Sequence, residues 1–152
     1  MYDALIVVHS WWRWVVVGLA LVVLVRAIGG WRARRPFGRG DRAVSSAFLG
    51  VVDLQFLLGA ILWWLSPYGL MVRTAFGASM KEGLVRFWGL EHAVTMLVAV
   101  AVLHIANARG KKRGEAWQRH RGLVIAILIW LVLVAAAFPW PWLARGRPLF
   151  RF

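Results

Sequence analysis

Apolar residues fill the chain in four long blocks, about residues 4–28, 44–65, 84–108 and 122–138, and polar residues collect in the connections between them. A helix that crosses a bilayer needs ~20 mostly apolar residues, and each block reaches or approaches that length. The connections are short, which sets neighbouring helices antiparallel. The pattern therefore predicts an all-α membrane protein, a four-transmembrane-helix bundle running up-down-up-down as one domain over residues 1–152. The first block is too long for a cleavable signal peptide. It also lacks a basic n-region and a small-residue cleavage site, so it is expected to remain as a membrane helix. The stretch "SPYGLMVRTAFGASMKEG" between the second and third blocks is long enough for a short helix at the membrane surface. The closing "FPWPWLARGRPLFRF" is not expected to be helical, because Pro139 and Pro141 lack donors and fix φ. It is expected to lie along the headgroups.

Composition agrees with a bilayer as the solvent. Hydrophobic residues make up 61% of the chain, against ~45–50% in soluble domains, and the mean hydropathy is +0.67. The absence of cysteine excludes disulfides, thiolate-held iron–sulfur clusters and cysteine nucleophiles. A net charge of +13 would suggest nucleic acid in a soluble protein, but no basic stretch here carries a docking motif. The basic residues instead sit between the apolar blocks, where they attract anionic lipid headgroups and set topology. "RAIGGWRARRPFGRGDR" holds six Lys or Arg and "ARGKKRGEAWQRHR" another six. The opposite side has Arg73, Lys81, Arg86, Arg145, Arg147 and Arg151. Twelve against six places the first and third connections in the cytoplasm and both termini outside, in a bacterial inner membrane. The tryptophans fit two interfaces, with Trp31 and Trp117 at the inner one and most of the rest at the outer one.

Ionisable side chains at membrane depth need a partner or a purpose. At ~1.5 Å per residue, His9 lies roughly 7 Å and His92 roughly 12 Å below the outer start of its helix, which is one depth to within a turn at the helix ends. Their helices, the first and third, run the same way and are diagonal in a four-helix bundle. Two imidazoles so placed approach a flat ligand from opposite faces, and a haem needs two neutral nitrogen ligands on one axis in an apolar pocket. Arg13 follows His9 by one turn, where a haem propionate would neutralise it. Gly59, at a similar depth in the second helix, would let a macrocycle approach. Gln55 is one turn from Gly59 on the same face. Asp53, about 200° around the helix from Gln55, is a rival partner for Arg13. Glu91 either pairs with Arg86 or neighbouring loop cations or takes part in proton transfer. His104 and His120 both fall near the inner boundary, where a second metal or haem would need them to converge. Met96, one turn from His92, reads as core, and the fourth helix as structural.

At "HSWWRWVVV", "RAIGGWRARRPFGRGDR", "RFWGLEH" and "FPWPW" the chain resembles small bacterial four-helix membrane proteins labelled cytochrome b-like. The likeness runs over nearly the whole chain in order and loop length. It implies b-type haem held between helices and single-electron transfer with quinone or another redox protein. Carried over by position, His9 and His92 are axial-ligand candidates for the haem iron, and Arg13 and Glu91 are their motif neighbours. Membrane cytochromes b that move electrons across a bilayer hold two haems on four histidines in two layers, whereas this chain offers one matched pair, so one haem b per chain is expected.

Two functions from different classes are open. The first is a redox protein with one haem near the outer face, exchanging electrons with quinone, with Lys81, Arg86 and Glu91 around the access point. The second is an accessory subunit of a larger respiratory or photosynthetic membrane complex, without chemistry of its own; in one variant a single histidine carries a pigment. There His9, Arg13, Asp53 and Glu91 would serve as hydrogen-bonded struts. A proton or ion pathway is disfavoured, because no polar residue continues the line from Arg13 to the inner boundary.

Overall fold

The computed structural model describes residues 1–111 and 115–151. Lys112 and Arg113 of the second basic connection, and Phe152 of the tail, lie outside the described residues. All regular structure among those described is helical: α1 Tyr2–Arg32, α2 Arg39–Leu65, α3 Pro67–Thr74, α4 Gly83–Lys111 and α5 Ala116–Ala137, with one further turn at Phe76–Ser79. Four of these, α1, α2, α4 and α5, are long and apolar enough to cross a bilayer, and the chain is a multi-pass membrane protein. Most of the helices run past the apolar blocks. α1 has 31 residues, about 46 Å at the α-helical rise, against a hydrocarbon thickness of ~30 Å. Arginine and glutamine are good helix formers, so the helices continue into the headgroup layer.

α1 packs on α2 and α5, and α4 packs on the same two, which leaves α1 and α4 diagonal. The interior is drawn from Val16, Ala20 and Val23 of α1, Phe48 and Val52 of α2, Ala99 and Leu103 of α4, and Ala126, Ile127 and Trp130 of α5. On α1 the buried positions Val16, Ala20, Val23, Ala27 and Gly30 recur at steps of four and three, the spacing of one helix face. Lipid is as apolar as these side chains, so burial alone does not drive the helices together. Small residues that let backbones approach, and the dispersion contacts they allow, do so instead. Phe48 meets Trp130 edge to face at 5.6 Å between ring centres.

α3 begins at Ser66, whose Oγ accepts from the Gly69 N–H at 2.9 Å, with Pro67 at the first helical position, where its missing donor costs nothing. This is the short helix expected between the second and third spans.

The connection from α1 to α2 is closed by one carboxylate. Arg34 takes the left-handed conformation, φ 49°, and turns the chain out of α1. Asp41, almost fully buried, then accepts from Arg35 at 2.6 and 3.0 Å, from Arg26 at 3.1 Å and from the Gly38 N–H at 3.1 Å. The bond from Arg35 to Asp41 raises the guanidinium pKa. Beside this cluster His120 is wholly buried, tilted on Phe37 at 4.9 Å and pressed against Gly30. A Cβ at Gly30 would come to 2.5 Å from both ring nitrogens of His120, whereas one at Gly29 would meet nothing within 4 Å. Overpacking of this kind costs ~1–3 kcal/mol, while replacing a helical glycine in open space gains ~0.5–1 kcal/mol. Gly30→Ala is therefore expected to lower the melting temperature of the detergent-solubilised protein and Gly29→Ala to hold or raise it. Equal melting of the two would mean that the His120 ring swings aside freely.

Candidate functional site

Both termini lie at one end of the bundle, where the tail after α5 returns to α1. The site is assembled there, beginning with an irregularity in α4. Residues Phe87–Glu91 form a π turn, which carries one residue more than an α turn and re-aims the side chains beyond it by about 100°. α3 is seated directly on this turn: a Cβ at Gly89 would lie 2.5 Å from Val72 Cγ2 and 2.9 Å from the Tyr68 carbonyl oxygen. The Trp63 indole N–H donates to the Gly89 carbonyl at 2.6 Å. His92 is the first residue after the turn. Its Nδ1 lies 2.9 Å from the carbonyl oxygen of Ala137, the last residue of α5. A carbonyl only accepts, so Nδ1 carries the proton and the neutral ring keeps a lone pair on Nε2. Trp88 and Phe87 flank the ring at 5.6 and 6.0 Å.

His9 faces α2. The Gln55 side-chain amide donates to the His9 carbonyl at 3.1 Å and lies 3.2 Å from His9 Nε2. Gly59 provides the room for the ring: a Cβ there would lie 3.0 Å from His9 Cε1. The space that Gly59 was expected to leave for a macrocycle is taken by the imidazole itself. His9 and His92 are near enough to interact electrostatically. Four buried polar atoms around His9 and His92 have no hydrogen-bond partner: His9 Nδ1, Gln55 Oε1, Arg13 Nε and Trp88 Nε1. Such orphans are rare in folded proteins, and a cluster of them marks a place for a polar ligand or ordered water.

Arg13 is held by the tail. Its guanidinium donates to the carbonyls of Leu149 and Pro148 and lies over the rings of Phe138 at 4.8 Å and Trp14 at 5.5 Å. The indoles of Trp14 and Trp11 donate to the Leu149 and Arg151 carbonyls at 3.2 and 2.7 Å, and Phe150 stacks on Trp14. Farther back, Arg145 and Arg147 lie over Phe87 and Trp88. The non-helical tail is thus a strap over the end of the bundle, packed on α1 and on the π turn. Burial beside Arg147 pushes the pKa of Arg151 down.

The other polar residues separate from this site. Asp53 does not reach Arg13; it bonds His104 Nε2 at 2.7 Å on a half-exposed face. His120 is buried against Gly30 and Phe37. Its ring lies near the Arg35 and Pro36 carbonyls, but neither nitrogen makes a hydrogen bond. His104 and His120 thus have separate surroundings and do not form the second site. Glu91 pairs with Arg86 at 2.7 Å. Among the described residues no three His, Asp or Glu side chains gather to hold a bare metal ion. The π turn, the Ala137 carbonyl and the packing of the strap are the parts that sequence reasoning missed; only the proline-rich end marked a place, that of the strap. Comparison with known proteins found no matching family model, no matching curated protein and no matching solved structure.

A charged donor bonded to carbonyls contributes ~1.5–3 kcal/mol, which corresponds to roughly tenfold or more in the opening of the strap. Arg13→Ala is expected to speed tryptic cleavage after Arg145 by that order, Pro148 protecting the bond after Arg147. An unchanged cleavage rate would show that the indoles alone hold the strap.

Proposed function

We propose that the chain is a membrane b-type haem protein that transfers single electrons, with haem held by His92 and His9 at the end of the bundle that carries both termini. The observation that carries this reading is the hydrogen bond from His92 Nδ1–H to the Ala137 carbonyl. Metal-bound histidines characteristically donate their second ring nitrogen to a carbonyl or carboxylate, which fixes the tautomer and leaves the other nitrogen as the ligand. A haem needs only two protein ligands, because the porphyrin supplies the other four, so a three-residue metal cluster is not required.

The residues present fit such a group. His92 is already oriented through α5. His9 would be the second holder, through Nε2, once the Gln55 amide released that atom. Arg13 keeps one unpaired N–H in a buried setting, a match for a propionate oxygen. Trp88 and Phe87 give the neighbourhood of His92 apolar walls. A bound haem supplies a one-electron iron couple. The chain's own contribution is ligation, a low-dielectric surround and a counter-charge, while the strap keeps water from the site. Quinone dissolved in the bilayer, or a redox protein at the surface, is the electron partner in this reading. The excess of Lys and Arg in the first and third connections supports a topology with the site on the outer side of a bacterial inner membrane.

The test is a dithionite-reduced minus oxidised absorbance spectrum of the purified protein, with haem quantified per chain. A sharp low-spin b-type signal near one haem per chain is expected, abolished in His92→Ala and in His9→Ala. A colourless protein after expression with ample haem would defeat the reading, and a variant that kept the low-spin spectrum would remove that residue from the ligand set.

A further inference from the structure

The Asp53–His104 pair raises a separate question, because it lies in the wrong medium. Asp53 is near the middle of α2, about 18 Å from Leu65 and about 21 Å from Arg39 along the axis, and its contact sets His104, expected near the inner boundary, beside it. His104 Nε2 bonds its carboxylate at 2.7 Å, and both side chains are 48% exposed. The surrounding surface is hydrocarbon-facing: Leu54, Leu57 and Ile61 on α2, Leu97, Val98 and Ile105 on α4. Polar groups in a spanning segment almost always face a protein interior or a cavity. Here the fold turns two of them outward. Their neighbours one turn away are small and exposed, Gly50 on α2 and Ala101 and Ala108 on α4, so another backbone can come close.

The chemistry of the pair identifies what covers it. An Asp–His pair without net charge, the form that hydrocarbon tolerates, carries two protons among its oxygens and ring nitrogens. One lies between His104 Nε2 and Asp53 Oδ1. Whichever atom holds that proton, the other is on His104 Nδ1, and Asp53 Oδ2 remains an acceptor. Each chain therefore presents one unused donor beside one unused acceptor. A surface of that kind is complementary to itself, which is the condition for a two-fold contact between identical chains.

We propose that the α2–α4 face is a homodimer interface within the membrane, in which His104 Nδ1–H of each copy bonds Asp53 Oδ2 of the other. All four groups are then satisfied and the ion pair leaves the lipid. The proposal does not depend on haem.

The chain contains no cysteine, so a single introduced one reports on the contact alone. Ala101→Cys and Gly50→Cys, each in the otherwise native chain, are to be oxidised with copper-phenanthroline in membranes. Val132→Cys on α5, 68% exposed, serves as the control. Disulfide-linked dimers are expected at Ala101→Cys or Gly50→Cys well above the control. Adding His104→Ala to the positive variant is expected to lower the dimer yield roughly tenfold, the effect of losing two exchanged interhelical bonds. The exchange Asp53→His with His104→Asp is expected to restore it. Cross-linking no better than at position 132, cross-linking only to a different membrane protein, or a dimer yield indifferent to His104→Ala in a protein that still melts normally would each overturn the proposal.

Discussion

A peptide group or polar side chain in a bilayer has no water to fall back on, so every donor and acceptor must be met by the protein itself. The helices meet their own backbone groups. The places where the backbone leaves the α pattern show what the constraint demands. The tail after α5 has carbonyls without helical partners, and α1 supplies donors for three of them from Trp11, Arg13 and Trp14. The π turn of α4 loosens the regular ladder, and Trp63 donates to its Gly89 carbonyl. The C-terminus of α5 exposes the Ala137 carbonyl, which His92 meets. In each case a side chain from another element compensates an irregular backbone, and that compensation fixes where the side chain points. The orientation of His92 is thus a by-product of finishing α5.

The same constraint sorts the polar residues by place. At the end with the α1–α2 connection, one buried carboxylate, Asp41, gathers Arg26, Arg35 and the Gly38 N–H, so each of its oxygens is used and the turn is closed. At the terminal end the network stays incomplete, with His9 Nδ1, Gln55 Oε1 and Arg13 Nε all buried and unpaired. Satisfied networks stiffen a structure, whereas incomplete ones are costly and persist where a ligand completes them. That contrast supports placing the proposed haem at the terminal end. His120 is the exception, a buried ring with unpaired nitrogens packed tightly on Gly30 and Phe37.

Much of the fold was legible because length and hydropathy alone decide whether a segment spans a bilayer. The four spans, the diagonal placing of the helices that carry His9 and His92, the short helix at Pro67 and the non-helical end after Phe138 all come from block length, connection length and proline. The register of side chains was less accessible. A helix that is apolar all round has no polar face to show which side is buried, so nothing marked Val16, Ala20 and Val23 as interior. The partners of Arg13 and Asp53 were also out of reach. Counting angles on an ideal helix puts Asp53 opposite Gln55, which the structure respects, but it cannot say that Asp53 meets His104 rather than Arg13. The π turn rotates everything after Glu91 relative to Arg86, and no residue pattern announces it.

Gly59 shows how one observation about size admits more than one occupant. A missing side chain beside a histidine reads as space for a macrocycle, yet the imidazole of His9 lies in that space, with Gln55 on its backbone carbonyl and near its Nε2. The two histidines are consequently prepared to different degrees. His92 presents a free nitrogen because a backbone carbonyl, which cannot move without unwinding α5, holds the opposite one. His9 is held by an amide on a flexible side chain, which can turn away at the cost of one neutral hydrogen bond, about 1 kcal/mol. A ligand that coordinates both must therefore meet a rigid group on α4 and an adjustable one on α1. The adjustable side is also where the strap lies, with Arg13 joining the two. Arg13 already holds the tail through the Leu149 and Pro148 carbonyls, so a haem that drew on Arg13 would share that residue with the strap.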